Sequence, residues 1–302
     1  MIGVGHLGSI HARIYKEIDG CTLAGICDID QQRLKQLSAE SGIPGFTDYS
    51  ELYDKVDAVS VAVPTKDHYK VALQFLKKGK HVLVEKPFTP SLREADALIR
   101  IAKANGLILQ VGHVERFNSA FSAAKEHIKD PKFIECHRLS QFPNRSLDVG
   151  VVLDLMIHDI DIVLGLVNSP IKRIDAVGVP VLTGFEDIAN ARINFKNGCV
   201  ANLTASRVSD EPMRKIRIFL KNAYMSLDYR NEAAFVYSRD PALRITKQTL
   251  PIEKEEPLKK ELSAFIDCVT NNKEPLVSGP VGRQALALAL DIQKLIWKKT
   301  SS

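Results

Sequence analysis

Long apolar runs, paired cysteines, internal repeats and blocks of like charge are all missing from this sequence. No window approaches a membrane span, and no charged leader precedes an apolar run at the N-terminus; a cytoplasmic protein with no membrane partner is therefore expected. The five cysteines (Cys21, Cys27, Cys136, Cys199 and Cys268) are odd in number and widely spread. None forms a pair at the spacing of a zinc site or redox motif, so reduced, buried thiols are expected. Lys plus Arg total 41 against 36 for Asp plus Glu, a formal charge of only +5 over 302 residues. The nearest approach to a basic cluster, Lys77, Lys78 and Lys80, suits a helix C-terminus, where cations complement the macrodipole. Nucleic-acid binding is not indicated, while a small anionic substrate remains compatible.

What is present reads as two domains, as the length itself suggests. Early in the chain, short β-rich runs alternate with helical patterns. Leu23–Cys27, Ala58–Val63, His81–Glu85 and Ile108–Gly112 read as strands. Asp30–Ser41, a stretch from about His68 to Gly79, and Ser91–Asn105 read as helices, the last with a capping box of Ser91 and Glu94. Strands without polar alternation, each followed by a helix, imply a buried parallel sheet. Past Arg116 the texture changes. Helices are expected over Phe117–Lys129 and Leu153–Leu166, then hairpins around Asn197–Gly198 and Lys221–Ala223, then helices over Leu258–Thr270 and Val281–Lys299. The expected fold class is α/β: a doubly wound domain over 1–116, then an α+β domain over 117–302 with an open, mainly antiparallel sheet. The final helix could pack back on the first domain.

Gly3-Val4-Gly5-His6-Leu7-Gly8 opens a helical run, and Asp28 follows at the end of the next strand. Such glycines let backbone approach a pyrophosphate at a helix N-terminus, and the carboxylate can accept the ribose hydroxyls. Three turn glycines and a helix-capping Asp would look the same, but the strand context favours a dinucleotide. A carboxylate at position 28 with no arginine immediately after it favours NAD over NADP. Only Met1 and Ile2 precede Gly3, although the first strand of such a fold is central and normally about five residues long. A start downstream of the natural one is expected, with a severely shortened strand as the alternative.

Glu85-Lys86-Pro87 stands where a buried strand leaves the sheet, the edge at which doubly wound folds bind ligands. Lys86 reads equally as an exposed turn residue or as a desolvated ammonium able to polarise an alcohol or carbonyl oxygen. In Asp154-Leu-Met-Ile-His158-Asp-Ile-Asp161, residues four apart share a helix face. His158 can then act as a proton acceptor steadied by Asp154. A surface charge pair or a metal site of Asp154, His158 and Asp161 competes, though no fourth ligand of comparable quality stands out.

Taken together, GVGHLG, Asp28, Pro64 with His68, KHVLVEKP, QVGHVERFN and DLMIHDID resemble the Gfo/Idh/MocA oxidoreductases over nearly the whole chain. The resemblance implies a Rossmann domain, a C-terminal α+β domain whose sheet packs between subunits in a dimer or tetramer, and NAD(P) as hydride carrier. It implies cofactor contacts from the Gly3–Gly8 loop, His6 and Leu7 included, and from Asp28, Pro64 and His68. Lys86 becomes the catalytic lysine, with Asp154 and His158 as its partner pair, and Glu85 and Pro87 shape the nicotinamide pocket. A narrower resemblance in VGHVERFN, RSLDVGVVLDLMIHDID and EDIANARINFKNGCVANLTASR points to the branch that oxidises UDP-N-acetylglucosamine at C3. On that reading Arg116, Asn118, Arg145 and Arg207 meet the diphosphate or the sugar, since guanidinium suits phosphate oxygens. An inositol or simple hexose dehydrogenase and a non-catalytic NAD-binding regulator are the alternatives, and the joint presence of Lys86, Asp154 and His158 favours an enzyme.

Overall fold

The structure, a computed structural model, describes residues 1–142, 149–240, 242 and 244–300. It divides into two compact units, Met1–His113 with Glu256–Arg283, and Val114–Glu255 with Gln284–Ser302.

In the first unit the strands are β1 (Ile26–Cys27), β2 (Gly45–Phe46), β3 (Ala58–Val61), β4 (His81–Glu85) and β5 (Leu109–Gly112). β1 pairs with β2, and β3, β4 and β5 pair in sequence, all parallel. Ile2 makes parallel bridges to both Cys27 and Val61, so Met1–Gly3 hold the central place between β1 and β3. The helices are α1 (His6–Tyr15), α2 (Gln31–Ser41), α3 (Thr65–Lys77) and α4 (Leu92–Ala104). β4 and β5 are buried without alternation, as a parallel sheet covered on both faces requires. At the start of α4 the Ser91 hydroxyl accepts from the Glu94 N–H and donates to the Glu94 carboxylate, so the two residues of the expected box meet, with Glu94 on the hydroxyl instead of the Ser91 N–H. α3 begins three residues before His68, at Thr65, with Pro64 as its N-cap.

The second unit is built on one eight-stranded sheet. Its strands are β6 (Phe133–Leu139), β7 (Ile171–Val179), β8 (Ile188–Phe195), β9 (Val200–Ser206), β10 (Met213–Phe219), β11 (Ala223–Asp228), β12 (Ala233–Arg239) and β13 (Ile245–Thr249). The order is β13-β12-β11-β10-β6-β9-β8-β7, antiparallel throughout except for the parallel pair β6–β9. Residues alternate between a buried and a more exposed face along β6 and β8. The buried face carries Ile134, Cys136, Ile193, Leu203, Ile216 and Ile218 against Met156, Ile160 and Val163. Those last residues come from a π-helical turn, Val152–Met156, that runs into α6 (Ile157–Leu166). The helix expected over Phe117–Lys129 is a 3-10 turn at Val114–Phe117 followed by α5 (Ser119–Lys125). Near the chain end, α7 (Pro257–Asn271) is counted with the first unit, where Leu262 and Phe265 pack against Ile14, Tyr15 and Leu83. α8 (Gly279–Thr300) contributes Ala289 and Ile292 to the core of the second unit. Among the described residues no helix is long and apolar enough to cross a membrane.

One buried ion pair organises the edge of the second unit. Arg207 Nε lies 2.7 Å from Asp187 Oδ1, with both side chains 0% exposed. The same carboxylate accepts the backbone N–H groups of Val181, Leu182 and Thr183 and the Thr183 hydroxyl. Burial pushes the Asp187 carboxyl up, but the donors from Leu182, Thr183 and Arg207 outweigh it and hold the group well below the usual carboxylate range. Removing one partner of such a pair strands a buried charge. Asp187→Ala should therefore cost about 3–5 kcal/mol of unfolding free energy in a denaturant titration, with Asp187→Asn costing less because its amide oxygen still accepts.

Candidate active site

The chemistry-bearing residues of the first unit hang from the carboxyl ends of its parallel strands, the edge where open α/β sheets bind ligands. Gly3 has φ +81°, and a Cβ on Gly8 would sit 1.9 Å from the Gly3 carbonyl oxygen, so only glycine allows this close turn. Gly5 is the N-cap of α1 and lends no side chain to its free N–H groups; a Cβ built there meets nothing within 4 Å. The result is an open cradle of backbone donors at a helix N-terminus, which fits a dinucleotide pyrophosphate. His6 and Leu7 form the first residues of that helix.

Asp28 follows β1 directly. Its Oδ2 accepts the Val4 N–H at 2.7 Å, and its Oδ1 accepts the Asp30 N–H at 2.9 Å. The carboxylate thus fixes the glycine loop while standing at the strand end where a ribose would lie. Arg33 of α2 reaches to 3.6 Å from Asp28 Oδ2, a basic neighbour that does not follow Asp28 immediately in sequence. Five residues is a little over one helical turn.

The loops after β3 and β4 are tied together by His68. Its Nδ1 lies 2.9 Å from the Pro87 carbonyl and its Nε2 2.9 Å from the Val63 carbonyl. Burial lowers the pKa of this imidazole despite the two acceptors. Pro64, beside Val63, starts α3. Glu85 closes β4 as a buried carboxylate, with Oε1 3.1 Å from His11 Nε2 and Oε2 accepting the Lys86 N–H at 3.1 Å. Burial pushes the Glu85 carboxyl up, and His11 and Lys86 bring it below its ordinary value. Lys86 is half-buried and precedes Pro87 through a cis peptide bond.

In the second unit Asp154 lies in the π-helical turn and His158 one turn further on, in α6; both are half-buried. A π turn takes more residues than an α turn, so a residue four along still lies close to directly above. Single π turns inside helices recur at functional sites. Asp161, the third member of the metal alternative, is committed elsewhere: Arg116 Nε lies 2.5 Å from its Oδ2. Among the described residues no group of three or more His, Cys, Asp or Glu side chains could hold a metal ion.

The residues expected to meet a sugar diphosphate fall in unequal places. Arg116 bonds both the carboxylate and the carbonyl of Asp161, and Gly165 leaves room for its guanidinium. Asn118 is buried; its Oδ1 caps α5 through the Ala120 N–H, and its amide donates to the Tyr229 carbonyl. Arg207 faces protein on every side, donating to Asp187, Thr183 and the Val149 carbonyl. Arg145 lies outside the described residues. A further buried cluster escaped the sequence reading: Arg138 of β6 bridges Glu115 at 2.7 Å and Asp159, the residue after His158, at 3.0 Å. The only local signal was an arginine at an inward position of an alternating strand. His11 likewise went unnoticed, although its spacing of three from Gly8 places it on the same helix face.

Residues 1–113 match the family described as "Oxidoreductase family, NAD-binding Rossmann fold", and residues 110–226 match "GFO/IDH/MocA C-terminal domain". A UDP-N-acetylglucosamine 3-dehydrogenase of Acidithiobacillus ferrooxidans is 38% identical over 301 residues, covering 97% of this chain and 95% of the relative. A solved structure of a UDP-N-acetylglucosamine 3-dehydrogenase from that organism superposes with a TM-score of 0.93 at 37% identity, covering 98% of this chain and 96% of its own. A myo-inositol 2-dehydrogenase of Thermotoga maritima is 28% identical, covering 100% of this chain and 96% of the relative. With its glycine cradle, Asp28 and Glu85-Lys86-Pro87 in place, the chain belongs to the Gfo/Idh/MocA oxidoreductase family and is an NAD-dependent dehydrogenase acting on CH–OH groups.

Proposed function

We propose that this dehydrogenase oxidises the C3 hydroxyl of a UDP-N-acetylhexosamine, with UDP-N-acetylglucosamine the first candidate. The observation that carries this reading is the near full-length similarity to a UDP-N-acetylglucosamine 3-dehydrogenase. The reacting residues are Lys86, Asp154 and His158. The Lys86 ammonium polarises the substrate oxygen, and neutral His158 accepts the hydroxyl proton. Asp154, one turn before His158, steadies the imidazolium that forms. The nicotinamide supplies the hydride acceptor when bound; the Gly3–Gly8 loop, Asp28, Pro64, His68, Glu85 and Pro87 are the residues that would hold it.

Arg116, Asn118 and Arg207 serve this site by what they brace. Arg116 anchors α6 through Asp161, Asn118 caps α5, and Arg207 anchors the 181–183 turn. We further propose a homodimer or homotetramer formed through the sheet of the second unit. Val177, Val179, Val181, Leu182, Phe185 and Ile188 are exposed along its β7–β8 edge, a patch that favours burial. Light scattering behind a sizing column should give a mass of two or four chains, and a monomer would refute this.

The second reading, an inositol dehydrogenase, rests on the full-length similarity to a myo-inositol 2-dehydrogenase. A panel of nucleotide sugars, inositols and hexoses with NAD separates the two, read by the appearance of reduced nicotinamide. Turnover is expected with UDP-N-acetylglucosamine; turnover with inositols alone would establish the second reading.

Lys86→Met removes the charge but keeps the shape. With the charge that polarises the substrate oxygen gone, it should lower turnover by about a hundredfold or more, with NAD affinity unchanged in a fluorescence titration. Turnover near that of the parent would remove Lys86 from the reaction.

A further inference from the structure

A histidine buried in the first helix of the nucleotide-binding unit has no local reason to be there. His11 is 0% exposed on the face of α1 that otherwise buries Gly8, Ala12, Ile14 and Tyr15. Taking an imidazole out of water costs free energy unless its nitrogens are satisfied, and an aliphatic side chain would pack at that position without the cost. Glu85 Oε1 approaches the ring, 3.1 Å from Nε2. Among the described residues neither ring nitrogen makes a hydrogen bond of good geometry, so Nε2 meets Glu85 as a close polar contact. Locally unfavourable residues of this kind cluster at functional sites.

The carboxylate that His11 meets is itself placed with little freedom. Glu85 ends β4, and its second oxygen accepts the Lys86 N–H at 3.1 Å. On the other side is Gly112 of β5, where an added Cβ would lie 2.8 Å from the carboxylate carbon. The titratable groups around Glu85 are His11 and Tyr15 from α1, His68 from α3, and Lys86 itself. Tyr15 is hydrogen-bonded to Ser60 of β3, and His68 holds the Val63 and Pro87 carbonyls. Among the described residues His11 is the side chain of α1 that lies against the Glu85 carboxylate, placed to fix its orientation.

We propose that His11 is a positioning residue for Lys86. Its imidazole holds the Glu85 carboxylate in place and in its charged form, so that Glu85 anchors the Lys86 backbone and keeps a negative charge behind the Lys86 ammonium. The proposal rests on the assignment of Lys86 to the reacting centre and deepens it. Without the imidazole, the buried carboxylate takes up a proton more readily, one negative charge near the Lys86 ammonium is weakened, and the free amine becomes easier to form.

The test reads Lys86 directly and needs no substrate. The full chain is treated with trinitrobenzenesulfonate at constant mildly alkaline pH, and modification of each lysine is followed by peptide mass spectrometry. In His11→Ala, Lys86 should be modified about fivefold faster or more than in the parent, as a lowered amine pKa requires, while Lys103 and Lys247 are unchanged. His11→Gln, whose terminal amide can still donate to Glu85, should return Lys86 to within about twofold of the parent. Should His11→Ala fail to fold, His11→Asn carries the test, since its shorter amide does not reach Glu85. Where turnover is measurable, the Ala variant should lower kcat about tenfold and the Gln variant should restore most of it. Lys86 modification unchanged in the Ala variant, equal acceleration at all three lysines, or a Gln variant no better than Ala would each overturn the proposal. Absence of turnover in the parent would count against the proposed substrate and leave the labelling result to decide this one.

Discussion

Hydrogen bonds between successive strand-end loops are what the nucleotide-binding unit depends on. A parallel sheet brings its strand ends to one edge, but it does not fix the loops that leave them. Here each loop is held by a side chain from another. Asp28 after β1 accepts from Val4 in the glycine loop. His68 in α3 spans the carbonyls of Val63 and Pro87. Glu85 at the end of β4 meets His11 in α1. The glycine loop, the Val63–Pro64 turn and the Glu85–Pro87 turn are therefore each braced by a side chain from a neighbouring element.

The second unit solves the same problem with charge. Its helix-borne residues sit over a sheet, and buried arginines join the two layers. Arg138 from the sheet holds Asp159, next to His158, and Glu115 from the turn before α5. Arg116 holds Asp161 on the same helix. Such pairs are weak sources of stability because desolvation opposes the Coulomb gain, but they define one arrangement of α6 over another. The orientation of His158 depends on that arrangement.

Much of this was legible in the chain itself, and what was not has a physical reason. The glycine loop, Asp28, Glu85-Lys86-Pro87 and the Asp154–His158 spacing are short-range patterns whose chemistry depends on neighbours in sequence. The ion pairs join residues 20 or more positions apart, so nothing local announces them. Strand β6 escaped notice because Arg138 occupies one of its inward positions and breaks the apolar alternation. Strand β13, ITKQT, is exposed along its whole length and has no apolar face to reveal it. An arginine looks the same in sequence whether it meets phosphate or carboxylate. Burial and partners distinguish Arg207, and neither is visible before folding.

The order of strands in the large sheet bears on how the chain is made. β6 comes first in sequence but lies near the middle of the sheet, between β9 and β10. Its partners, Val200–Ser206 and Met213–Phe219, emerge from the ribosome more than sixty residues later. Until then β6 has two open edges and an apolar face carrying Ile134 and Cys136. Pairings of such long sequence separation form slowly, and unpaired edges are where nascent chains associate with one another. The step most exposed to aggregation is thus the wait of one strand for both its neighbours, and the rate of translation through residues 140–219 sets how long it lasts.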